Sequence, residues 1–101
     1  MRDPTDTAGQ EAEAEAVREA EKERRRQEVE DFKWLMAHKQ GRRFVWRLLS
    51  EAGVYRSSFT GNSTTFFNEG KRNSGLMLLA EIHELTPEAY GLMLKEQRKH
   101  E

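Results

Sequence analysis

Basic and aromatic side chains alternate along residues 41–61, whose sequence is GRRFVWRLLSEAGVYRSSFTG. Arginine stacks on aromatic rings and pairs with carboxylates or phosphates through its planar guanidinium group. Trp, Tyr and Arg are also the side chains that most often anchor protein interfaces. The chemistry predicted for this stretch is therefore binding, and the partner-binding candidates are Arg42, Arg43, Trp46, Arg47, Tyr55, Arg56 and Phe59.

Three interpretations of these side chains stay open on sequence alone. They could dock onto the aromatic rings and carboxylates of another protein. They could stack on bases and neutralise phosphates, as in a nucleic-acid-binding protein. The arginine stems could instead cover the protein's own core while their charged heads reach water.

The sequence lacks the patterns that would predict an enzyme, a cofactor or a metal site. His38, His83 and His100 are scattered, and none forms a helical pair suited to zinc. The string NEGKRN at residues 68–73 has a glycine before its lysine but lacks the rest of a phosphate-binding loop. Most carboxylates lie outside the apolar part of the chain, where an acid and a base would have to meet. We therefore expect a non-enzymatic protein with no catalytic residues, no metal and no cofactor.

Charge and hydrophobicity divide the 101-residue chain at the same point. Residues 1–31 hold 11 acidic and 6 basic residues, whereas residues 32–101 hold 7 acidic and 11 basic ones. Every Phe, Trp, Tyr, Leu and Ile lies at or after Phe32. A net charge of +4 over the second part is too small to indicate nucleic-acid binding by itself. The predicted organisation is a flexible tail at 1–10, a charged helical arm at 11–31 and a compact helical bundle domain at 32–101.

The cysteine count and the hydrophobic runs limit the class of protein further. With no cysteine, the fold must rest on packing rather than on disulfides or thiolate–metal bonds. No apolar run of 18 residues is present, and the first ten residues are polar. These features predict a soluble protein with no membrane partner and no export signal.

Helical periodicity predicts an all-α fold, in which the end of a long charged N-terminal helix completes a small helical bundle. Ala, Glu, Arg, Lys and Gln dominate the first helix, and no strand-like alternation competes with the other three. Gln40 and Gly41 are predicted to interrupt the pattern between the first two helices, and Gly53 to end the second in a left-handed conformation. The predicted helices are residues 11–39, 42–52, 63–85 and 87–99.

Local signals also predict how the later helices start and cross. Thr86 and Pro87 have the order of a cap followed by a first-turn proline, which predicts the start of the last helix there. Gly70 and Ser74 lie one turn apart, and their small size predicts the point where another helix crosses closely. The side chains expected inside the bundle include a stripe at the end of the first helix as well as residues of the other three. They are Val29, Phe32, Leu35, Met36, Phe44, Val45, Leu48, Leu49, Ala52, Phe66, Phe67, Met77, Leu78, Ile82, Tyr90, Met93, Leu94 and Gln97.

The two tryptophans bear on the choice between a binding surface and a simple core. A core built from so few apolar residues is too small to enclose both Trp34 and Trp46. Tryptophan combines a large apolar ring with a polar N–H and is enriched where one side of the ring remains wet. We expect at least one of the two in a groove between helices or on a contact surface.

Residues 41–96 resemble a family of small proteins of short-tailed bacteriophages that are encoded among the head and tail genes and are typified by a protein of a Bordetella phage. The resemblance covers a little over half of the chain and leaves the charged arm unmatched. Its residues are Gly41, Arg42, Phe44 to Leu49, Tyr55, Ser58, Phe59, Thr60, Phe67, Glu69, Gly70, Arg72, Asn73, Pro87, Tyr90, Met93 and Glu96.

The resemblance implies a setting but no mechanism, since the family supplies no catalytic or ligand residues. It implies a structural or assembly protein of the virion, located in the virion and, during assembly, in the host cytoplasm. Portal, head or internal virion proteins are the implied partners, together with copies of the chain in a symmetric assembly. A small nucleic-acid-binding phage regulator stays as the alternative.

Overall fold

A computed structural model describes residues 6–55 and 64–98 of the chain. The predicted all-α fold is confirmed, since the described residues form four α-helices and no strand. The helices are α1 (Thr7–Ala37), α2 (Lys39–Ala52), α3 (Thr64–Leu85) and α4 (Pro87–Arg98).

The start of α1 is set by an aspartate that caps it. The Asp6 carboxylate accepts a hydrogen bond of 2.9 Å from the backbone N–H of Gly9, and the Asp6 carbonyl accepts one of 3.2 Å from Gln10. A side-chain oxygen at this position satisfies an amide that has no partner within the helix. The helix therefore begins four residues before the predicted start at residue 11.

Contacts divide the chain into two units, one ending at Phe32 and the other beginning at Lys33. The described part of the first unit is a charged helix whose ion pairs join residues three positions apart. Because these side chains are mostly exposed, their pairing contributes little to stability. Such pairs include Arg18–Glu15, Lys22–Glu19, Arg25–Glu28 and Arg26–Glu23.

The second unit contains a small apolar core, in which α2, α3 and α4 pack against one another. Six side chains are at most 6% exposed: Met36, Val45, Leu49, Val54, Ile82 and Met93. Other residues expected inside are not buried. Phe44 and Leu48 on α2, and Phe67 and Met77 on α3, are 37–75% exposed. The buried face of α2 is therefore narrower than its apolar pattern predicts.

The break between α1 and α2 lies at His38, not at Gln40 and Gly41 as predicted. His38 is extended, with φ −108° and ψ 138°, and α2 already includes the next two residues. Gly41 is buried in α2, and a Cβ there would lie 2.8 Å from the carbonyl carbon of Leu35. The glycine is needed for the close approach of α2 to the end of α1, and it does not interrupt the helix.

The close helix crossing on α3 lies at a different glycine from the predicted one. Gly70 is exposed, and a Cβ built there has no neighbour within 4 Å. Gly75 is buried, and its Cβ would lie 2.6 Å from the Cβ of Ala52 and would also collide with Val54. The crossing predicted at Gly70 and Ser74 therefore lies instead at Gly75, the residue after Ser74.

Two predicted helix boundaries are confirmed. Gly53 ends α2 in the left-handed region, with φ 75° and ψ 30°, and its N–H donates to the carbonyl of Ser50. Pro87 begins α4 directly after Thr86. The Thr86 hydroxyl donates a 3.2 Å hydrogen bond to the carbonyl of Ile82, in the last turn of α3.

Candidate docking surface

The exposed side of α2 carries a row of cations between two aromatic edges. Lys39, Arg43 and Arg47 follow one another at intervals of four residues and are all exposed. Phe44 and Trp46 are two positions apart, which places them roughly 200° apart around the helix. The two rings therefore lie on opposite sides of the basic row.

The first edge is an open groove of about 460 Å³ between the end of α1 and the start of α2. Trp34 and Phe44 are its large rings, and they are 65% and 45% exposed. The lining residues are Trp34, Leu35, His38, Gln40, Gly41 and Phe44. Exposed rings on both helices make this groove an apolar surface that a partner's side chains could cover.

The break at His38 positions the groove's tryptophan. The His38 imidazole lies 4.4 Å from the Trp34 ring, measured between centroids. Its Nδ1–H donates a 2.6 Å hydrogen bond to the Trp34 carbonyl, one of the carbonyls that the end of α1 leaves without a helical partner. This bond assigns the proton to Nδ1 and ties the ring to the helix end.

The cation at the far end of the row is held by neighbours on its own helix. The guanidinium carbon of Arg47 lies 5.0 Å from the centroid of the Phe44 ring. Arg47 also lies 3.8 Å from the Glu51 carboxylate, one turn further along α2. Both contacts are exposed, so they position the guanidinium group without removing it from the surface.

The second edge is a chain of four rings that joins α2 to α3 and α4. Trp46 stacks on Tyr55 at 5.5 Å, and the Tyr55 and Tyr90 hydroxyls form a 2.9 Å hydrogen bond. Tyr90 in turn packs against His83 at 4.6 Å. Partial burial and the hydrogen bond with Tyr90 raise the pKa of Tyr55 above its ordinary value of 10.0.

Arg42 departs from the surface role predicted for it. Its side chain is 9% exposed and lies against Glu96 of α4, which is 15% exposed. Arg42 Nε and Nη2 donate to the two Glu96 carboxylate oxygens at 2.7 and 3.0 Å, and Nη1 donates to the Met36 carbonyl at 3.0 Å. Every polar edge of this guanidinium group is thus used within the bundle.

The charges around Glu96 fix its ionisation. The hydrogen bond from Arg42 lowers the pKa of Glu96 below its ordinary value of 4.5, and the charges of Arg42, Lys39 and Arg43 act in the same direction. The same bond raises the pKa of Arg42. The pair is therefore fully charged at neutral pH and holds α4 against α2.

The structure brings together only some of the predicted binding residues. Arg43 and Arg47 share the exposed row, and Trp46 meets Tyr55 at its edge. Arg42 is withdrawn into the bundle, whereas Arg56 and Phe59 lie outside the described residues. The expectation of an exposed tryptophan is confirmed, and it is met mainly by Trp34.

The groove itself was not predicted from the sequence. Phe44 was expected in the core because it continues an apolar pattern with Val45 and Leu48. The available signal was Gly41, seven residues after Trp34, since a glycine permits close contact between two helices. Glu96 had no local signal, because its partner lies 54 positions away.

Within the described ranges, no three His, Asp or Glu side chains come together in a group that could hold a metal ion. A membrane-spanning helix is also absent there, because none of the four helices combines the required length with enough apolar residues.

These observations define the class of the chain as a small all-α protein with a bundle of short helices. The comparison with protein families then identifies it further, because residues 32–95 match the Bbp19-like phage protein family. The chain belongs to this family of phage proteins, as the resemblance to a Bordetella phage protein predicted. No curated protein and no solved structure matches the chain.

Proposed function

We propose that this phage protein is a non-enzymatic structural or assembly component of the virion that docks onto portal, head or internal virion proteins. The observation that carries the proposal is the open groove, where Trp34 and Phe44 stay exposed on adjoining helices beside the row of Lys39, Arg43 and Arg47. Exposed rings beside arginines are the usual anchors of protein interfaces.

The distribution of cations favours a protein partner over a nucleic acid. Arg42 is engaged with Glu96 and does not add to the exposed row of Lys39, Arg43 and Arg47. Binding to nucleic acid draws its affinity from several phosphate contacts, so it needs many cations on one face. The apolar groove instead fits a partner that inserts side chains between the two rings.

Mass spectrometry of purified phage particles tests the virion assignment directly. We expect the chain to be found in particles at a fixed ratio to the head and portal proteins. Its complete absence from intact particles would reject the proposal.

A pair of matched variants tests the docking surface. The double variant Trp34→Ala/Phe44→Ala removes both groove rings, whereas Phe67→Ala/Met77→Ala removes two apolar side chains of α3 that are more exposed than the rings. We expect the groove variant to lose incorporation into particles and the α3 variant to keep it, with both retaining the wild-type circular dichroism. Equal incorporation of the two folded variants would contradict docking through the groove.

A nucleic-acid filter-binding series across salt concentrations distinguishes the alternative function. A small regulator that grips phosphates must bind at low salt and weaken steeply as salt rises. We expect no such binding. Tight, salt-sensitive binding combined with absence from particles would replace the structural role with the regulatory one.

A further inference from the structure

We propose that the groove of one molecule takes the acidic first turns of α1, residues 7–17, from a second copy of the chain. This inference rests on the proposed docking role of the groove and names its partner. The chain would then supply both surfaces of a self-association contact. One copy provides the groove, and the other provides residues 7–17.

The groove half of the contact is apolar at its centre and positive at its rim. Trp34 and Phe44 form its walls, and Gly41 supplies backbone without a side chain. The adjoining face of α2 carries Arg43 and Arg47 in exposed positions. An occupant that fits this groove needs an apolar ridge flanked by carboxylates.

The first turns of α1 have this chemistry. Residues 7–17 contain three acidic residues, Glu11, Glu13 and Glu15, and no basic one. Ala8, Ala12 and Ala16 recur every four residues and therefore lie along one side of the helix. Val17 follows on a different side of the helix, about 100° around from Ala16, and is 56% exposed.

Residues 7–17 fit the groove in both size and charge. A ridge of alanines lets a helix backbone approach aromatic walls closely, because no long side chain intervenes. Carboxylates beside the ridge would face the guanidinium groups of Arg43 and Arg47 on the rim. The basic residues of α1 begin at Arg18, which lies 3.3 Å from Glu15 in an exposed ion pair, and such a pair costs little to exchange for another.

The contact is heterologous, because the two surfaces that meet are different. Two copies can exchange it reciprocally in a dimer, or several copies can pass it around a closed ring. In either arrangement the association depends on protein concentration and weakens with salt, since charge complementarity contributes to it.

Sedimentation velocity of the full chain and three charge variants tests this inference. The rim variant is Arg43→Glu/Arg47→Glu, the segment variant is Glu11→Lys/Glu13→Lys/Glu15→Lys, and the control Lys71→Glu/Lys95→Glu reverses exposed cations on α3 and α4. We expect the wild type and the control to associate. The rim and segment variants should each bind at least tenfold more weakly than the wild type.

Mixing the two weakened variants gives the decisive result. The reversed rim and the reversed segment are complementary again, so an equimolar mixture should recover association that neither variant shows alone. A wild type that stays monomeric at its highest soluble concentration would overturn the inference. So would a rim variant that associates as tightly as the control.

The outcome is separable from that of the proposed function. If the chain is found in particles and requires Trp34 and Phe44 there, but is monomeric in solution, virion docking stands and self-association through residues 7–17 is rejected. Circular dichroism of each variant establishes that loss of association does not come from loss of folding.

Discussion

Arg42 and Arg43 are adjacent in the sequence but lie in opposite environments, so they form a matched pair for testing the bond to Glu96. Arg42 donates three hydrogen bonds inside the bundle, at 2.7–3.0 Å. Arg43 is exposed on the surface of the same helix. Replacing each by alanine removes the same charge and the same stem from neighbouring positions.

The expected cost of Arg42→Ala is about 3 kcal/mol of unfolding free energy. Removing one partner of a buried ion pair costs about 3–5 kcal/mol, because the other charge is left without compensation. The lower end applies because Glu96 is 15% exposed and can recover some hydration. Arg43→Ala should change stability by less than about 0.5 kcal/mol, as is usual for an exposed position.

Urea denaturation followed by circular dichroism measures the difference. Glu96→Gln is a milder second variant, with an expected loss of about 1.5 kcal/mol, because a neutral acceptor replaces a charged one. It keeps the test interpretable even if Arg42→Ala is too unstable to fold. Equal stability of the Arg42→Ala and Arg43→Ala variants would refute the assignment of Arg42 to the bundle interior.

Three other predictions follow from the structure. The pKa of Glu96 is lowered from 4.5, so the stability that its ionised form contributes is complete above pH 4.5 and is lost as the pH falls through the lowered pKa. Unfolding free energies measured along an acid titration should show this loss in the wild type and not in Glu96→Gln. Gly75→Ala should destabilise the bundle by about 1–3 kcal/mol through overpacking, whereas Gly70→Ala should stabilise it by up to about 1 kcal/mol, and thermal melts that show the same sign for both would contradict the helix crossing at residue 75. Tyr55→Phe and Tyr90→Phe should each cost about 1 kcal/mol in urea denaturation, and the double variant should cost no more than either one; additive losses would argue against their shared hydrogen bond.

The fold was predictable from sequence because its main signals are local. Apolar residues at helical spacing indicate the helices, and a glycine that can adopt positive φ indicates the end of α2 at residue 53. The order of Thr86 and Pro87 indicates the start of α4. Proline has no N–H, and the first turn of a helix leaves its N–H groups without helical partners.

Local signals could not predict which of the helical glycines contact another segment. Gly41, Gly70 and Gly75 all lie inside helices and have the same low helix propensity. Only the path of the neighbouring backbone decides which of them faces another segment. Gly41 faces the carbonyl of Leu35 and Gly75 faces Ala52, whereas Gly70 faces open space.

The candidate site was predicted in composition but not in arrangement. Sequence indicated that Arg and aromatic residues of α2 form a surface, and Arg43 and Arg47 do lie on one. It could not indicate that Arg42 meets Glu96, because a contact between residues 54 positions apart depends on the tertiary fold. The exposure of Phe44 has the same origin, since α3 and α4 leave that side of α2 uncovered.

The junction of α1 and α2 combines a close contact at Gly41 with two exposed rings, Trp34 and Phe44. At Gly41 the space for a side chain is taken by the carbonyl and side chain of Leu35, so this close contact involves no atom of the two groove rings. Substitutions at Trp34 or Phe44 would therefore change the surface of the groove and leave the contact at Gly41 in place. If the groove docks onto a partner as proposed, its surface can change at two side chains while the contact at Gly41 is kept.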